Sequence, residues 1–325
     1  MNPQTRLAWF RRLALAGAIL AAVVVVLGAW VRLTDAGLGC PDWPGCYGHT
    51  YPQAAHDVGK AWHEMVHRYF AGTLVLVIST LLIWAVAFRK DPGQPRTPVI
   101  LLFVIVLFQA ALGAFTVTRL LKPLIVTGHL LGGLTTLGIL CWLALTPEER
   151  TPTPREGRLL PVALFAFALL VLQIALGGWT STNYAAVACP DFPTCQQAWW
   201  PPMDFRNAFV LWHGLDIDYT GGVLANPARV AIHVTHRFGA AVAGTVLLLV
   251  GLAAFFNGSS GRLRLAGALV AGAVLLQICI GISMVHFGLP LPLATMHNAG
   301  AALLVICVVA LLRMLVPLPH VHRSR

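Results

Sequence analysis

Gly28-Ala29-Trp30-Val31-Arg32, running on to Cys40-Pro41-Asp42-Trp43-Pro44-Gly45-Cys46, decides the fold, because the chain says it twice. Gly177-Gly178-Trp179-Thr180-Ser181 runs on to Cys189-Pro190-Asp191-Phe192-Pro193-Thr194-Cys195, with both cysteine pairs displaced by the same 149 positions. Working outward, His67-Arg68 returns as His236-Arg237, displaced by 169. Gln109 with Gly113 returns as Gln277 with Gly281, and Thr127-Gly128-His129 as Thr295-Met296-His297, displaced by 168. A duplicated unit follows, whose second copy carries about twenty extra residues between its cysteine pair and its first histidine.

Both copies belong in lipid. Hydrophobic residues make up 58% of the chain and charged residues 10%, a balance far more apolar than a soluble domain of this length needs for one core. Apolar runs long enough to cross a hydrocarbon core of about 30 Å recur near 13–31, 69–88, 98–117, 124–145, 159–179, 238–256, 263–285 and 291–316. The expected fold is an all-α integral membrane protein of eight transmembrane helices in two pseudo-symmetric four-helix bundles. The N-terminal unit covers 1–147, a cytoplasmic linker 148–158, and the C-terminal unit 159–325. Arg6, Arg11 and Arg12 precede the first span as in a signal peptide, but its apolar stretch is too long and Trp30-Val31-Arg32 offers no small-residue cleavage site.

The net charge of +10 does not mark a nucleic-acid binder, since Lys and Arg sit at helix ends. Arg6, Arg11, Arg12, Arg89, Lys90, Arg96, Arg150, Arg155, Arg158, Arg262, Arg264, Arg313, Arg323 and Arg325 fall on one side. That side is expected to be cytoplasmic, with both termini inside and the long loops 34–60 and 182–229 outside. Both units then enter from the same face, as a parallel repeat related by an axis along the membrane normal.

Ionisable side chains inside a membrane span are candidates for function. His67 and His236 recur on the second helix of each unit, His129 and His297 on the fourth, each expected about 10 Å below the outer helix end. Two neutral imidazoles facing each other across a bundle can supply both axial ligands of a haem iron. The neighbouring Gly128, Gly132, Gly133, Gly300, Gly72 and Gly239 would leave room for a flat macrocycle, and Arg68 and Arg237 could pair with its propionates. Polar contacts between helices, or a metal other than haem iron, are the competing readings. His49, His56, His63, His213, His286, His320 and His322 lie in loops, at helix ends or in the tail and are weaker candidates.

The units differ three residues before the second-helix histidine, where Glu64 has His233 as its counterpart. At this spacing Glu64 shares a helix face with His67, where a carboxyl could act as general acid or base; an acidic residue favouring a helix N-terminus is the alternative. Among the cysteines, Cys141, Cys279 and Cys307 read as small core residues, while the paired outer ones favour two disulfides over a zinc site. Whether either bond cycles redox chemistry stays open.

Taken together, the duplicated loop cysteines, Glu64-x-x-His67-Arg68 with His236-Arg237, Gly128-His129 with His297-Asn298, and the Gln-x3-Gly pattern of the third helices resemble the haem A synthase family over nearly the whole chain. The resemblance implies an oxidoreductase that converts the C8 methyl of haem O to the formyl group of haem A for terminal oxidases. It implies that His67 and His129 bracket the substrate haem, that Glu64 is needed for activity, and that His236 and His297 ligate a haem b cofactor. Cys40-Cys46 would be the pair with a redox or haem-transfer role, and Cys189-Cys195 the structural disulfide. Expected partners are haem O synthase, terminal oxidase assembly factors and membrane lipid in a bacterial cell (inner) membrane, with haem sites near the outer face; a homo-oligomer stays open. A bis-His dihaem cytochrome relaying electrons, or a haem transporter or chaperone, are the alternatives.

Overall fold

A computed structural model describes residues 1–53, 55–146, 153–214 and 217–316. Positions 148–152 of the linker, including Arg150, and the tail with His320, His322, Arg323 and Arg325 lie outside the described residues. The helices are α1 (Pro3–Leu33), α2 (Val58–Ala87), α3 (Arg96–Thr118), α4 (Pro123–Ala144), α5 (Pro154–Thr182), the short α6 (Phe205–Ala208), α7 (Asn226–Asn257), α8 (Gly261–His286) and α9 (Leu291–Leu315). Eight of these, all but α6, are long and apolar enough to span a membrane.

Several helices run well past the apolar stretches read from sequence. Hydropathy reports where the side chains meet lipid, whereas backbone hydrogen bonding continues until a cap ends it. Asn2 caps α1 by accepting from the Thr5 amide at 2.8 Å, with Pro3 supplying a preset first turn. Thr153 and Glu156 form a reciprocal capping box that starts α5 five residues before the predicted span. Asp57 and Ser260 cap α2 and α8 in the same way.

Within the first unit α1 packs on α2 and α4, and α3 on α2 and α4; in the second α5 packs on α7 and α9, and α8 on α7 and α9. The units meet where α4 and α9 pack on each other and on α5 and α1 respectively. One apolar core, with Phe10, Ile78, Leu81, Leu102, Leu137, Leu140, Leu311 and Leu315 fully buried, joins both units toward the basic end. Cys141 and Cys307 belong to it, but Cys279 is exposed and is not the core residue expected of it.

Residues at equivalent places in the two units touch each other. Arg32 donates to the carbonyl of Ser181 at 2.7 Å and Tyr184 to Asp35 at 2.6 Å, both 149 positions apart. At the opposite end Arg313 Nε reaches the carbonyl of Leu145, 168 positions away, at 3.5 Å. Such contacts between equivalents arise only beside a pseudo-twofold axis, so the axis runs the length of the bundle.

The extra residues of the second outer loop cross to the first unit. The Tyr219 amide donates to the Leu120 carbonyl at 3.2 Å, and the buried Lys122 ammonium lies 2.9 Å above the Trp212 ring while donating to the Gly214 carbonyl. Residues Trp212, Gly214 and Tyr219 therefore lie against the turn that leads into α4. Trp199, Trp200 and Trp212 on this loop are exposed, as aromatic side chains are at a membrane interface.

Candidate functional site

Each candidate histidine enters from the end that carries the cysteine loops. His67 lies about 14 Å along α2 and His236 about 15 Å along α7, while His129 and His297 each lie about 9 Å along α4 and α9, at 1.5 Å per residue. The rings of His67 and His129 stand 6.4 Å apart, centre to centre, and cross at 84°. Two imidazoles holding one metal ion from opposite sides, with metal–nitrogen distances of about 2 Å, have centres about 6 Å apart. The spacing fits a shared ion. His236 and His297 are near enough to act on each other electrostatically.

Glycines make these positions. A Cβ at Gly28 would come within 3.0 Å of His67 Cε1, and one at Gly177 within 3.1 Å of His236 Cε1. Gly113 and Gly281 stand in the same way against His129 and His297, at 3.4 and 3.2 Å. Every ring thus presents its Cε1 to the bare backbone of the preceding transmembrane helix. Gln109 and Gln277, the conspicuous amides of α3 and α8, do not touch the rings' free nitrogens: each lies over Gly132 or Gly300, and Gln277 donates to the backbone carbonyl of His297 at 3.0 Å.

Nδ1 of His67, His129 and His297 is buried without a hydrogen-bond partner. Buried polar atoms that lack a well-aligned partner are rare and costly, which makes these rings the candidates to bind a ligand. Among the described residues no group of three or more His, Cys, Asp and Glu could hold a metal ion. A metal gripped by two histidines needs its remaining donors from elsewhere, which a porphyrin supplies.

Glu64 is buried, 4% exposed. Its carboxylate pairs with Arg68 one turn on and accepts from the Cys40 amide at 2.9 Å. His233, its counterpart, instead contacts the Ala185 carbonyl through Nδ1 at 3.0 Å. Both positions tether the outer loop, but only the first brings a charge.

The arginines that follow these histidines reach the cysteine loops. Arg68 donates to the carbonyls of Asp42 and Gly45, at 2.9 and 2.5 Å, and Arg237 to those of Asp191, Thr194 and Cys189, at 2.8, 2.8 and 3.1 Å. The terminal nitrogens clamp the cysteine loops, and Arg237 Nε is buried without a hydrogen-bond partner. In each loop the sulfurs are bonded, at 2.06 Å for Cys40 and Cys46 and 1.92 Å for Cys189 and Cys195, and all four are buried. Asp42 accepts from the amides of Tyr47 and Gly48, and Asp191 from those of Gln196 and Gln197. These bonds hold both carboxyls below the usual carboxylate range, the largest effect being the Gly48 amide for Asp42 and the Thr194 hydroxyl for Asp191.

Residues 11–309 match the COX15-CtaA family, described as cytochrome oxidase assembly protein. The chain belongs to this family. Its relatives include the heme A synthase of Shewanella oneidensis, 40% identical over 268 residues that span 77% of this chain and 79% of that protein. The heme A synthase of Halalkalibacterium halodurans is 27% identical over 70% of this chain and 69% of its own length. That of Symbiobacterium thermophilum is 28% identical over 59% and 66%. This is the haem A synthase family.

One residue in contact with a candidate histidine was not singled out from sequence. Gln173 on α5 places its amide nitrogen 2.9 Å from His236 Nδ1. The signal was present as a break in the repeat, since the first unit has Val24 at the equivalent position.

Proposed function

We propose that this chain is a haem A synthase, a multi-pass membrane oxidoreductase that oxidises the C8 methyl of haem O to the formyl group of haem A. The observation that carries this reading is the His67–His129 pair, spaced for one shared iron, beside a buried carboxylate that the second unit lacks. The N-terminal unit holds the substrate haem, gripped at its iron by His67 and His129. The C-terminal unit holds haem b between His236 and His297, which supplies one-electron redox chemistry when bound.

Glu64 stands three residues before His67 on one face of α2 and receives protons as the methyl hydrogens leave. Its ion pair with Arg68 and the bond from the Cys40 amide fix the carboxylate in place before substrate arrives, which is the kind of prior organisation that lowers a barrier. The basic end faces the cytoplasm by the distribution of Lys and Arg, so both termini lie inside and the haem sites near the outer face of a bacterial cell membrane. Haem O synthase upstream and terminal oxidase assembly factors downstream are the partners that such a reaction requires.

Haem extracted from cells supplied with haem O and separated by liquid chromatography with mass detection tests the reading. Haem A, or its hydroxymethyl precursor, appears with the intact chain and disappears with Glu64→Gln while haem remains bound. Haem b alone from the intact chain would refute synthesis and leave an electron-relaying cytochrome or a haem carrier.

A further inference from the structure

The two units are closed differently at their outer ends. In the second unit Trp179 on α5 and Ala231 and Ile232 on α7 are buried in one cluster with Ala208 of α6, against which Met203 and Phe209 also pack. The Trp179 indole donates to the Ala208 carbonyl at 2.9 Å, which ties this cover down. In the first unit the equivalent positions, displaced by the same 149 and 169 residues, are Trp30, Trp62 and His63. Trp62 is 43% exposed, His63 is exposed and Trp30 is half-buried. The cover belongs to the longer of the two outer loops, and the shorter one leaves the Trp62 and His63 side chains open. Where a buried isoleucine closes one unit, an imidazole stands free in the other.

His63 lies one turn, about 6 Å, nearer the outer end of α2 than His67, and a step of four residues keeps both on one helix face. Both rings turn toward α1: His63 meets the edge of Trp30, with centres 6.0 Å apart and planes at 84°, and His67 presents Cε1 to Gly28. Among the described residues no hydrogen bond engages the His63 ring. The terminal nitrogens of Arg68, by contrast, already meet the Asp42 and Gly45 carbonyls and the Glu64 carboxylate.

We propose that the open outer end of the first unit receives the propionate edge of the substrate haem, with the His63 imidazole donating to a propionate oxygen. This rests on the proposed function, since it takes the His67–His129 pair to hold haem. Haem is an apolar disc with two carboxylates on one edge, and an ionised carboxylate is costly to bury without donors. With the iron at His67, that edge is best served toward the outer end, where His63 stands on the same face. An imidazole N–H donates to a carboxylate whether the ring is neutral or charged, and the bond is charge-assisted. Ile232 has no donor to offer beneath α6. An open rim also fits a molecule that enters and leaves, whereas one that stays can be closed over, so the units differ at the rim as they do at Glu64.

The test uses the full-length chain with His236→Ala and His297→Ala, which leaves the first histidine pair alone, titrated in detergent with haem b and with its dimethyl ester, whose propionates carry no charge. His63→Leu is expected to weaken binding of the free acid by about 10- to 100-fold, the size of one hydrogen bond to a charged group, and to leave the ester unaffected. His63→Gln, which keeps an N–H donor, should retain part of the preference for the acid. An unchanged preference in His63→Leu overturns the proposal, as does equal weakening of acid and ester, which marks a packing defect. A lipid phosphate offers the same oxygen acceptors; an intact preference in His63→Leu together with fewer phosphatidylglycerol molecules retained, counted by mass spectrometry, would assign His63 to lipid and overturn the proposal. If the doubly substituted chain does not fold, release to apomyoglobin is followed from the parent: His63→Leu should speed one haem about tenfold and leave the other unchanged, and no change, or the same change in both, overturns the proposal. A folded double variant that binds neither acid nor ester removes haem from the His67–His129 pair itself, which is a failure of the proposed function and not of His63 alone.

Discussion

Gly28→Ala puts one methyl group between α1 and the His67 ring. The added Cβ would stand 3.0 Å from Cε1, against about 3.5–4.0 Å for a relaxed carbon–carbon contact. The ring must retreat by roughly 0.5–1 Å, and since it is buried against α2 the retreat changes its distance to His129, now 6.4 Å between centres. Overpacking of this size costs about 1–3 kcal/mol. A displacement near 1 Å in a reacting assembly costs up to about 100-fold in rate. We expect Gly28→Ala to fold, to lose low-spin haem from the first unit, and to convert haem O at least tenfold more slowly. Gly177→Ala, 3.1 Å from His236 Cε1, should deplete haem from the second unit in the same way. Gly272→Ala is the control: it lies on α8, away from the four paired histidines, with nothing within 4 Å of its added Cβ, and should be neutral or slightly stabilising. Optical spectra and haem O turnover of the three variants decide the matter. Wild-type spectrum and turnover in Gly28→Ala would refute the idea that bare backbone positions the ring.

Glu64→Gln keeps an acceptor for the Cys40 amide but leaves the Arg68 guanidinium without its counter-charge; beyond lost turnover, we expect destabilisation of about 3 kcal/mol, read from thermal unfolding in detergent, with Arg68→Leu in the same chain recovering part of it. Arg237→Lys removes the planar fork that spans three loop carbonyls, and should speed alkylation of Cys189 and Cys195 after mild reduction, scored by mass spectrometry; an unchanged rate would mean the clamp is dispensable. Asp42 and Asp191 are held below their unfolded values, so their contribution to the loops is complete above the ordinary carboxylate range and is lost as pH falls through the depressed folded values, below about pH 4. Hydrogen exchange of the Tyr47, Gly48, Gln196 and Gln197 amides should accelerate there and not between pH 5 and 8.

Eight spans and their duplication were legible because both leave one-dimensional marks: apolar runs of bilayer length, and motifs displaced by a constant interval. Helix ends were less so. The capping box at Thr153 and Glu156 starts α5 outside the apolar run, where hydropathy carries no information. Matching of the histidines across the repeat brought out the pair that the structure places 6.4 Å apart. The loop contacts of Arg68 and Arg237 were not legible, because a guanidinium has five donors and sequence does not say which backbone carbonyls lie within reach. Gln173 was passed over because an amide on a first helix looks unremarkable until its counterpart, Val24, is set beside it. The contact of Trp212, Gly214 and Tyr219 with the first unit was visible only as extra length in the second outer loop.

Contacts beside the pseudo-twofold axis bear on why the units share one polypeptide. In a true dimer of the first half, a residue on the axis faces its own twin: Arg32 would meet a second arginine and Asp35 a second aspartate, like charges at close quarters. In the single chain Arg32 meets the Ser181 carbonyl and Asp35 meets the Tyr184 hydroxyl. Fusion let the two sides of the seam diverge into complements. The same freedom reaches Glu64 opposite His233 and Val24 opposite Gln173, so that a scaffold born symmetric could divide its labour without giving up its symmetry of backbone.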